Sequence, residues 1–188
     1  MPSNVYKKGD IETLINLAQN RDSKAIETLI RAEQRHIYAI FSHLADKKED
    51  VADLTQEALI KMIKNIGTLK NPSLFRQWLN RIISNIFYDY VRKNSFSKTE
   101  VADDKINEIK DKLGCEPGEK CIFSEIERLI RTALMTLPKN LRLALILREY
   151  EGLSYEDISK ITNTTLGTVK SRISRARLRL KEELADFI

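Results

Sequence analysis

The 188-residue sequence is poor in residues that interrupt helices and in residues that stabilise small secreted domains. It contains six glycines, four prolines and two cysteines, and runs in which apolar and polar residues alternate as in strands are scarce. No run of about 18 apolar residues occurs, so no membrane span is expected. The N-terminal segment 1–12 also lacks the apolar core of a signal peptide. These absences predict an all-α protein that stays in the cytoplasm.

The two cysteines, Cys115 and Cys121, lie in an acidic segment in the middle of the chain. Cytoplasmic thiols are usually reduced, so we interpret the pair as reduced and merely tolerated; the alternatives are a redox switch or half of a metal site. His36 and His43 are remote in sequence and complete no ligand set, so neither a metal nor a cofactor is predicted. No paired carboxylates, nucleophile–base pair or phosphate-binding loop suggests an enzyme.

Charge divides the chain into three parts. Residues 1–94 carry a net charge of +4, residues 95–123 carry −2, and residues 124–188 carry +3. The middle part loses helical periodicity and contains Gly114 to Gly118, a turn-forming stretch. We therefore predict two small helical domains, 1–94 and 124–188, joined by a flexible acidic linker with at most a transient helix over 101–113. The small net charge leaves room for the domains to close on each other.

Gly152 to Leu184 predict two helices joined by a short turn. Ser154 is placed to cap the first helix, with Asp157 three residues later. Asn163 tolerates the left-handed backbone of a tight turn, and Thr165 is placed to cap the second helix. Apolar residues recur along that helix at spacings of three and four: Leu166, Val169, Ile173, Ala176, Leu180 and Leu184.

The rest of this second helix is basic and rich in hydroxyl groups. Its cations are Lys170, Arg172, Arg175, Arg177, Arg179 and Lys181. A short helix, a turn and a second helix with one apolar and one cationic face are typical of a helix-turn-helix that reads the DNA major groove. The alternatives are a solvated charged face, an acidic protein partner and a membrane surface. The narrow apolar stripe disfavours the membrane.

In the N-terminal half, a helix predicted from Leu74 to about Arg92 mixes aromatic residues with basic and amide groups. Ser73 is placed to cap it, as Ser23 is for an earlier helix. Large rings dominate cores, so Trp78 is assigned to the core. The groups suited to bases and phosphates are Arg76, Gln77, Asn80, Arg81, Asn85, Tyr88 and Arg92. This mixture is typical of binding to single-stranded nucleic acid.

Motifs in both halves resemble one family, the extracytoplasmic-function (ECF) sigma factors of bacterial RNA polymerase. DLTQEALIKMIKNI, at 53–66, resembles the family's Asp-x-x-Gln-Glu helix. LFRQWLNRIISNIFYDYVRK, at 74–93, resembles its Phe-Arg-x-Trp-Leu and Asn-x-x-x-Asp-Tyr-x-Arg helix. LPKNLR, REYEGLSYEDIS and GTVKSRISRAR, in the C-terminal half, resemble three further blocks. The order of the blocks makes the resemblance specific, although the turn has Asn163 where the family often has glycine.

The resemblance implies a dissociable specificity subunit of RNA polymerase that performs no catalysis of its own. Residues 1–94 correspond to sigma region 2, which binds core polymerase and the −10 element. Residues 124–188 correspond to region 4, which binds the −35 element. The implied partners are core RNA polymerase, promoter DNA and an anti-sigma factor. The alternative is a stand-alone helix-turn-helix regulator whose N-terminal half senses a ligand or dimerises.

The resemblance also implies which residues make each contact. Polymerase binding falls to Asp53, Gln56 and Glu57, and the two acids among them also suit the N-terminal part of a helix. Contacts to the single-stranded −10 element are expected at Thr68, Lys70, Asn71, Ser73, Arg76 and Asn85. Contacts to the −35 duplex are expected at Lys170, Ser171, Arg172, Ser174, Arg175 and Arg177. Of these, Arg172 and Arg177 are expected to reach phosphates and the others base edges.

Overall fold

The computed structural model describes residues 8–97 and 119–185, with side chains described over 11–94 and 126–185. The described residues form eight α-helices, two 3₁₀ turns and no strand. The helices are α1 (Lys8–Gln19), α2 (Ser23–Leu44), α3 (Asp50–Asn65), α4 (Phe75–Ser97), α5 (Glu119–Thr136), α6 (Lys139–Glu149), α7 (Tyr155–Thr162) and α8 (Leu166–Glu183). No helix in these two ranges is long and apolar enough to span a membrane. The all-α prediction is confirmed.

Helices α1 to α4 form the first unit around a core to which α2, α3 and α4 contribute most of the large side chains. The 3₁₀ turns Ile66–Thr68 and Pro72–Leu74 connect α3 to α4. One face of α3 is buried along its whole length, because its apolar residues recur every three or four positions. The buried apolar residues are Val51, Leu54, Ala58 and Met62, with Ile66 just beyond the helix.

Two predicted helix caps are wrong by one or two residues. Asp22 caps α2 in place of Ser23, because its Oδ1 accepts the backbone N–H of Ala25 at 2.8 Å. Ser73 lies inside the 3₁₀ turn Pro72–Leu74 that precedes α4, and Asn71 caps that turn: its Oδ1 accepts the Ser73 N–H at 3.0 Å and the Ser73 hydroxyl at 2.8 Å. Both positions hold adjacent or nearly adjacent cap-forming residues. Sequence spacing alone does not choose between such neighbours.

Helical structure extends into both ends of the segment assigned to the linker. Helix α4 continues to Ser97, and α5 begins at Glu119. Cys121 lies within α5, whereas Cys115 and the transient helix predicted over 101–113 lie outside the described residues.

The helix-turn-helix is confirmed in its local details. The Ser154 hydroxyl accepts the Asp157 N–H at 3.0 Å and donates to the Asp157 carboxylate at 2.7 Å. Asn163 adopts the left-handed conformation (φ 51°, ψ 49°), and the Thr165 hydroxyl accepts the Thr168 N–H at 3.1 Å. The stripe of α8 is buried at its centre, at Val169, Ile173 and Ala176, and half-buried at its ends, at Leu166, Leu180 and Leu184.

The two helical units pack against each other. In the second unit, α6 contacts α2, and α7 contacts α4. The buried guanidinium of Arg142 in α6 donates to the carbonyl of Leu44 at 2.8 Å and to the carboxylate of Asp46 at 2.9 Å. The closure that the small net charge allowed is therefore present in this structure.

Candidate polymerase and nucleic-acid interfaces

The three residues predicted to bind polymerase lie together on the outer face of α3. Asp53 and Gln56 are exposed and Glu57 is half-buried, because the opposite face of the helix is the buried stripe. With them, Ile60, Lys61 and Lys64 line one shallow depression. The Glu57 carboxylate lies 2.7 Å from the ammonium group of Lys61.

Sequence reasoning missed the apolar centre of this depression. Ile60 is 46% exposed, whereas other large apolar residues of α3, such as Leu54 and Met62, are buried. Its position seven residues after Asp53 places it on the same face of the helix, and that spacing was the available signal. Single exposed apolar side chains are common on protein surfaces, so Ile60 is of interest because it lines the same depression as the three predicted polymerase contacts.

Four of the six predicted −10 contacts lie together in the connection between α3 and α4: Thr68, Lys70, Asn71 and Ser73, all exposed. Asn71 and Ser73 hydrogen-bond to each other. The hydroxyl of Thr68 donates to the carbonyl of Asn65 at 2.7 Å. Asn85 is also exposed, but it lies ten residues into α4, about 15 Å along the helix axis at 1.5 Å per residue. The structure therefore separates Asn85 from the loop residues.

Arg76, the sixth predicted −10 contact, forms an ion pair inside the first unit. Its Nη1 donates to Oε2 of Glu33 at 2.6 Å, and the Glu33 side chain is fully buried. Burial raises the pKa of Glu33 above its usual value, although Arg76 and His36 oppose the shift. A buried carboxylate needs this partner. The ion pair thus gives Arg76 a structural role, and its contact with DNA stays a prediction.

Asn80 is among the α4 groups whose chemistry suits bases and phosphates, but the structure does not leave it available to DNA. Its side chain is buried, and its Nδ2 donates to Oε2 of Glu151 at 2.7 Å. Glu151 lies in the second unit, so its position on the first unit is a tertiary contact that no local pattern predicts.

The residues predicted to contact −35 base edges lie on the outer face of α8. Lys170, Ser174 and Arg175 are exposed, and Ser171 is half-buried. Arg175 lies back along its own helix: its Nη2 donates to the Ser171 hydroxyl at 3.1 Å. That hydroxyl in turn donates to the carbonyl of Thr168 at 3.0 Å. Reaching a base edge therefore requires Arg175 to change rotamer.

The two arginines predicted to reach phosphates already have partners within the chain. Nη2 of Arg177 lies 2.5 Å from the carboxylate of Glu149 in α6, and this contact raises the pKa of Arg177. The guanidinium of Arg172 lies beside the phenol of Tyr88 in α4. Burial raises the pKa of the Tyr88 phenol, and Arg172 opposes that shift. The second contact joins the helix predicted to read the −35 duplex to the helix predicted to hold the −10 strand.

Comparisons with known proteins match both units in the same order. The model of Sigma-70 region 2 matches residues 29–97, and that of Sigma-70 region 4 matches residues 127–180. The ECF RNA polymerase sigma-E factor of Haemophilus influenzae is 31% identical over 185 residues, which cover 94% of this chain and 96% of that protein. The chain belongs to the ECF sigma factors. Sigma factors direct RNA polymerase to promoters and are not enzymes, so the family confirms the predicted resemblance and disfavours the stand-alone regulator.

Other relatives of this ECF sigma factor agree. The RNA polymerase sigma-H factor of Pseudomonas aeruginosa is 32% identical, with 94% of this chain and 95% of that protein covered. The sigma factor RpoE of Bartonella quintana, solved with the anti-sigma factor NepR, is 28% identical with a TM-score of 0.66, covering 88% of this chain and 98% of that one. CnrH, solved with the cytosolic domain of CnrY, shares the fold at 19% identity and a TM-score of 0.65, covering 94% and 97%.

The Arg177–Glu149 ion pair generates a prediction about DNA affinity. Changing Glu149→Gln should free Arg177 and remove a negative charge beside the basic helix, so duplex DNA should bind more tightly. The slope of log K against log salt concentration should become steeper by about one phosphate contact. Fluorescence anisotropy with a labelled −35 duplex over a salt series measures both quantities.

Glu156→Gln is the matched control, because Glu156 is exposed on α7 and removes the same charge from the same unit. If affinity and salt slope change equally in the two variants, the effect of Glu149→Gln comes from net charge alone. An unchanged slope in Glu149→Gln would show that Arg177 contacts no phosphate.

Proposed function

We propose that this sigma factor binds core RNA polymerase through α3, holds the melted −10 strand through the α3–α4 connection and α4, and reads the −35 duplex through α8. It acts in the cytoplasm, without a cofactor, and performs no chemistry on the DNA. Three outward-facing sets of polar residues, each borne by elements whose other side is packed, carry this proposal. Their order along the chain is the order of regions 2 and 4.

For polymerase binding, the depression on α3 combines an apolar centre with a charged rim. Burial of Ile60 by a partner supplies hydrophobic free energy, and the rim of Asp53, Gln56 and Glu57 supplies orientation. Lys61 pairs with Glu57 in the free chain, so a partner cation that approached Glu57 would have to compete with an existing contact. This competition makes Asp53 the more available carboxylate.

For the −10 strand, Asn85 offers one amide donor group and one acceptor on a rigid support. Its neighbours Ile86 and Phe87 are buried, so the backbone beneath Asn85 is fixed by packing. An amide can pair with the edge of a base that has left the stack. Unstacking that base costs a few kcal/mol, which contacts in the loop and on α4 must offset. Trp78 packs against Phe75 with ring centroids 5.9 Å apart, so we keep it as a structural residue.

For the −35 duplex, α8 follows the geometry of a recognition helix. Lys170, Ser171, Ser174 and Arg175 are placed for base edges, whereas Arg172 and Arg177 flank them and suit phosphates. Before they can contact phosphates, Arg172 must leave Tyr88 and Arg177 must leave Glu149.

We also propose an anti-sigma factor as a third partner. The matching structure of RpoE from Bartonella quintana contains one, and that protein is similar to this chain over both helical units.

Run-off transcription tests the function directly. Core polymerase with this protein should produce transcripts of defined length from a subset of a promoter library, and core alone should not. Asp53→Ala should lower the yield because it weakens core binding, whereas Lys24→Ala, at an exposed position on α2, should not. The absence of defined products across the library would refute the sigma function.

A second prediction concerns specificity at the −35 element. Arg175→Ala should weaken binding by about 1–3 kcal/mol at one duplex position if the guanidinium contacts a base edge. Competition binding of the holoenzyme over duplexes that vary at each position measures the pattern. Arg179→Ala, also exposed on α8, is the control for lost charge. A uniform loss over all sequences would make Arg175 a phosphate contact.

A third prediction concerns strand opening. In the holoenzyme, Asn85→Ala should leave initial duplex binding intact and reduce the permanganate reactivity of −10 thymines, because the captured base loses its hydrogen bonds. Gln34→Ala, which removes an exposed amide from α2, is the control for loss of a surface amide. Normal reactivity in Asn85→Ala would exclude base capture by this residue.

A further inference from the structure

Glu151 follows α6 in the second unit, but its carboxylate is buried against the first unit. The side chain is only 3% exposed. Oε2 accepts from Nδ2 of Asn80 in α4 at 2.7 Å, and Oε1 lies 3.0 Å from Nε2 of His36 in α2, without the alignment of a hydrogen bond. Burial acts to raise the pKa of Glu151, but His36 and Asn80 outweigh it and hold the pKa below its usual value. The carboxylate therefore stays charged inside this contact.

The carboxylate of Glu151 is part of a larger buried polar cluster. Glu33 and Arg76 form their ion pair beside it, and the ring of Tyr150 stacks on His36 with centroids 6.1 Å apart. A buried charge requires partners on every side that lacks water. Because α2 and α4 provide the partners of Glu151, docking replaces the water around the carboxylate with the side chains of His36 and Asn80.

A second contact between the units lies at the C-terminal end of α2. Arg142 donates a hydrogen bond to the carbonyl of Leu44. The carboxylate of Asp46 lies 2.9 Å from the guanidinium of Arg142 and 2.9 Å from the ammonium group of Lys139. The C-terminal end of a helix favours cations. Leu44 lies eight residues beyond His36, which is about 12 Å along the helix, so the units are joined at two separated points and cannot pivot about either one.

The docked arrangement is incompatible with binding both promoter elements. It places α7 on α4 and Arg172 of α8 on Tyr88 of α4. The −35 and −10 positions are about 25 base pairs apart, or on the order of 85 Å at 3.4 Å per base pair. Helices that contact each other cannot span this distance, so the units must separate before α8 and α4 can hold both elements.

We propose that Glu151 is an intramolecular latch, whose carboxylate between His36 and Asn80 holds the sigma factor in an idle form until core polymerase separates the two units. The latch belongs to the chain itself and acts without an inhibitor. It rests on the proposed function, because the idle form has a meaning only if the open form binds polymerase and promoter. The residues of the latch are distinct from the predicted polymerase contacts on α3.

The test measures shape and binding in the full-length chain. Small-angle X-ray scattering should give a compact wild type and an expanded Glu151→Gln variant, since glutamine keeps the size and loses the charge. Glu156→Gln, which removes an exposed charge from α7, should stay compact. The apparent affinity for core polymerase should rise about tenfold in Glu151→Gln, because the competent form no longer has to be populated from a minor fraction. Circular dichroism checks that the helices are retained.

A double variant in which the amide and the acid exchange places distinguishes loss of the latch from a general loss of stability. Asn80→Asp places a second carboxylate opposite Glu151 and should also expand the chain. The double variant Asn80→Asp/Glu151→Gln restores an amide-to-carboxylate hydrogen bond with its polarity reversed, and should return the chain to the compact form.

Two results would overturn the latch: a compact Glu151→Gln variant, or expansion without tighter binding to a core polymerase that wild type binds. A double variant as expanded as both single variants would also overturn the specific pairing of Asn80 with Glu151. If no form of the chain binds core polymerase, the proposed function fails, and the scattering still shows whether Glu151 holds the units together.

Discussion

The burial of Arg142 is the constraint on which the arrangement of the helices depends. A guanidinium cannot give up its charge, and its side chain here is only 3% exposed, so its two terminal nitrogens need acceptors within the protein; its Nε has none. The acceptors come from three places: the carbonyls of Met135 and Leu137 at the end of α5, the carbonyl of Leu44 at the end of α2, and Asp46. One side chain therefore fixes α5, α6 and the C-terminal end of α2 relative to one another. Docking of the two units follows from that requirement.

The sequence predicts the features of this fold that depend on neighbours in the chain. The Ser154 cap, the left-handed Asn163 and the stripe of α8 are decided within a few residues, and each is as expected. The burial of the Glu151 carboxylate depends on Asn80, which lies 71 residues away in the sequence. No periodicity or spacing carries that pairing, so the burial of Asn80 is not predicted from the sequence. Long-range pairs of single polar groups are what a lone sequence leaves undetermined.

The same distinction applies to the interfaces. The outward positions of Asp53, Asn85 and Lys170 follow from helical periodicity, because the opposite faces are apolar. The partners that Arg172 and Arg177 hold in the free chain do not follow from it, since Tyr88 and Glu149 lie on other helices. A basic helix that looks fully available in sequence is thus partly neutralised by its own protein. If Arg172 and Arg177 contact promoter phosphates as proposed, those phosphates replace a phenol and a carboxylate, and both exchanges lower the free energy gained on binding.

Arg172 connects these observations, because the guanidinium that lies beside Tyr88 in the docked form is also one of the two proposed phosphate contacts. A residue that contacts Tyr88 in the docked form and a phosphate in the open form makes the two states exclusive. Linkage is reciprocal: if separation of the units favours the promoter, the promoter equally favours separation and hence core binding. Polymerase and DNA then bind cooperatively without touching each other through this chain. The strength of that cooperativity equals the free energy of docking, and the buried contacts of Glu151 and Arg142 set it.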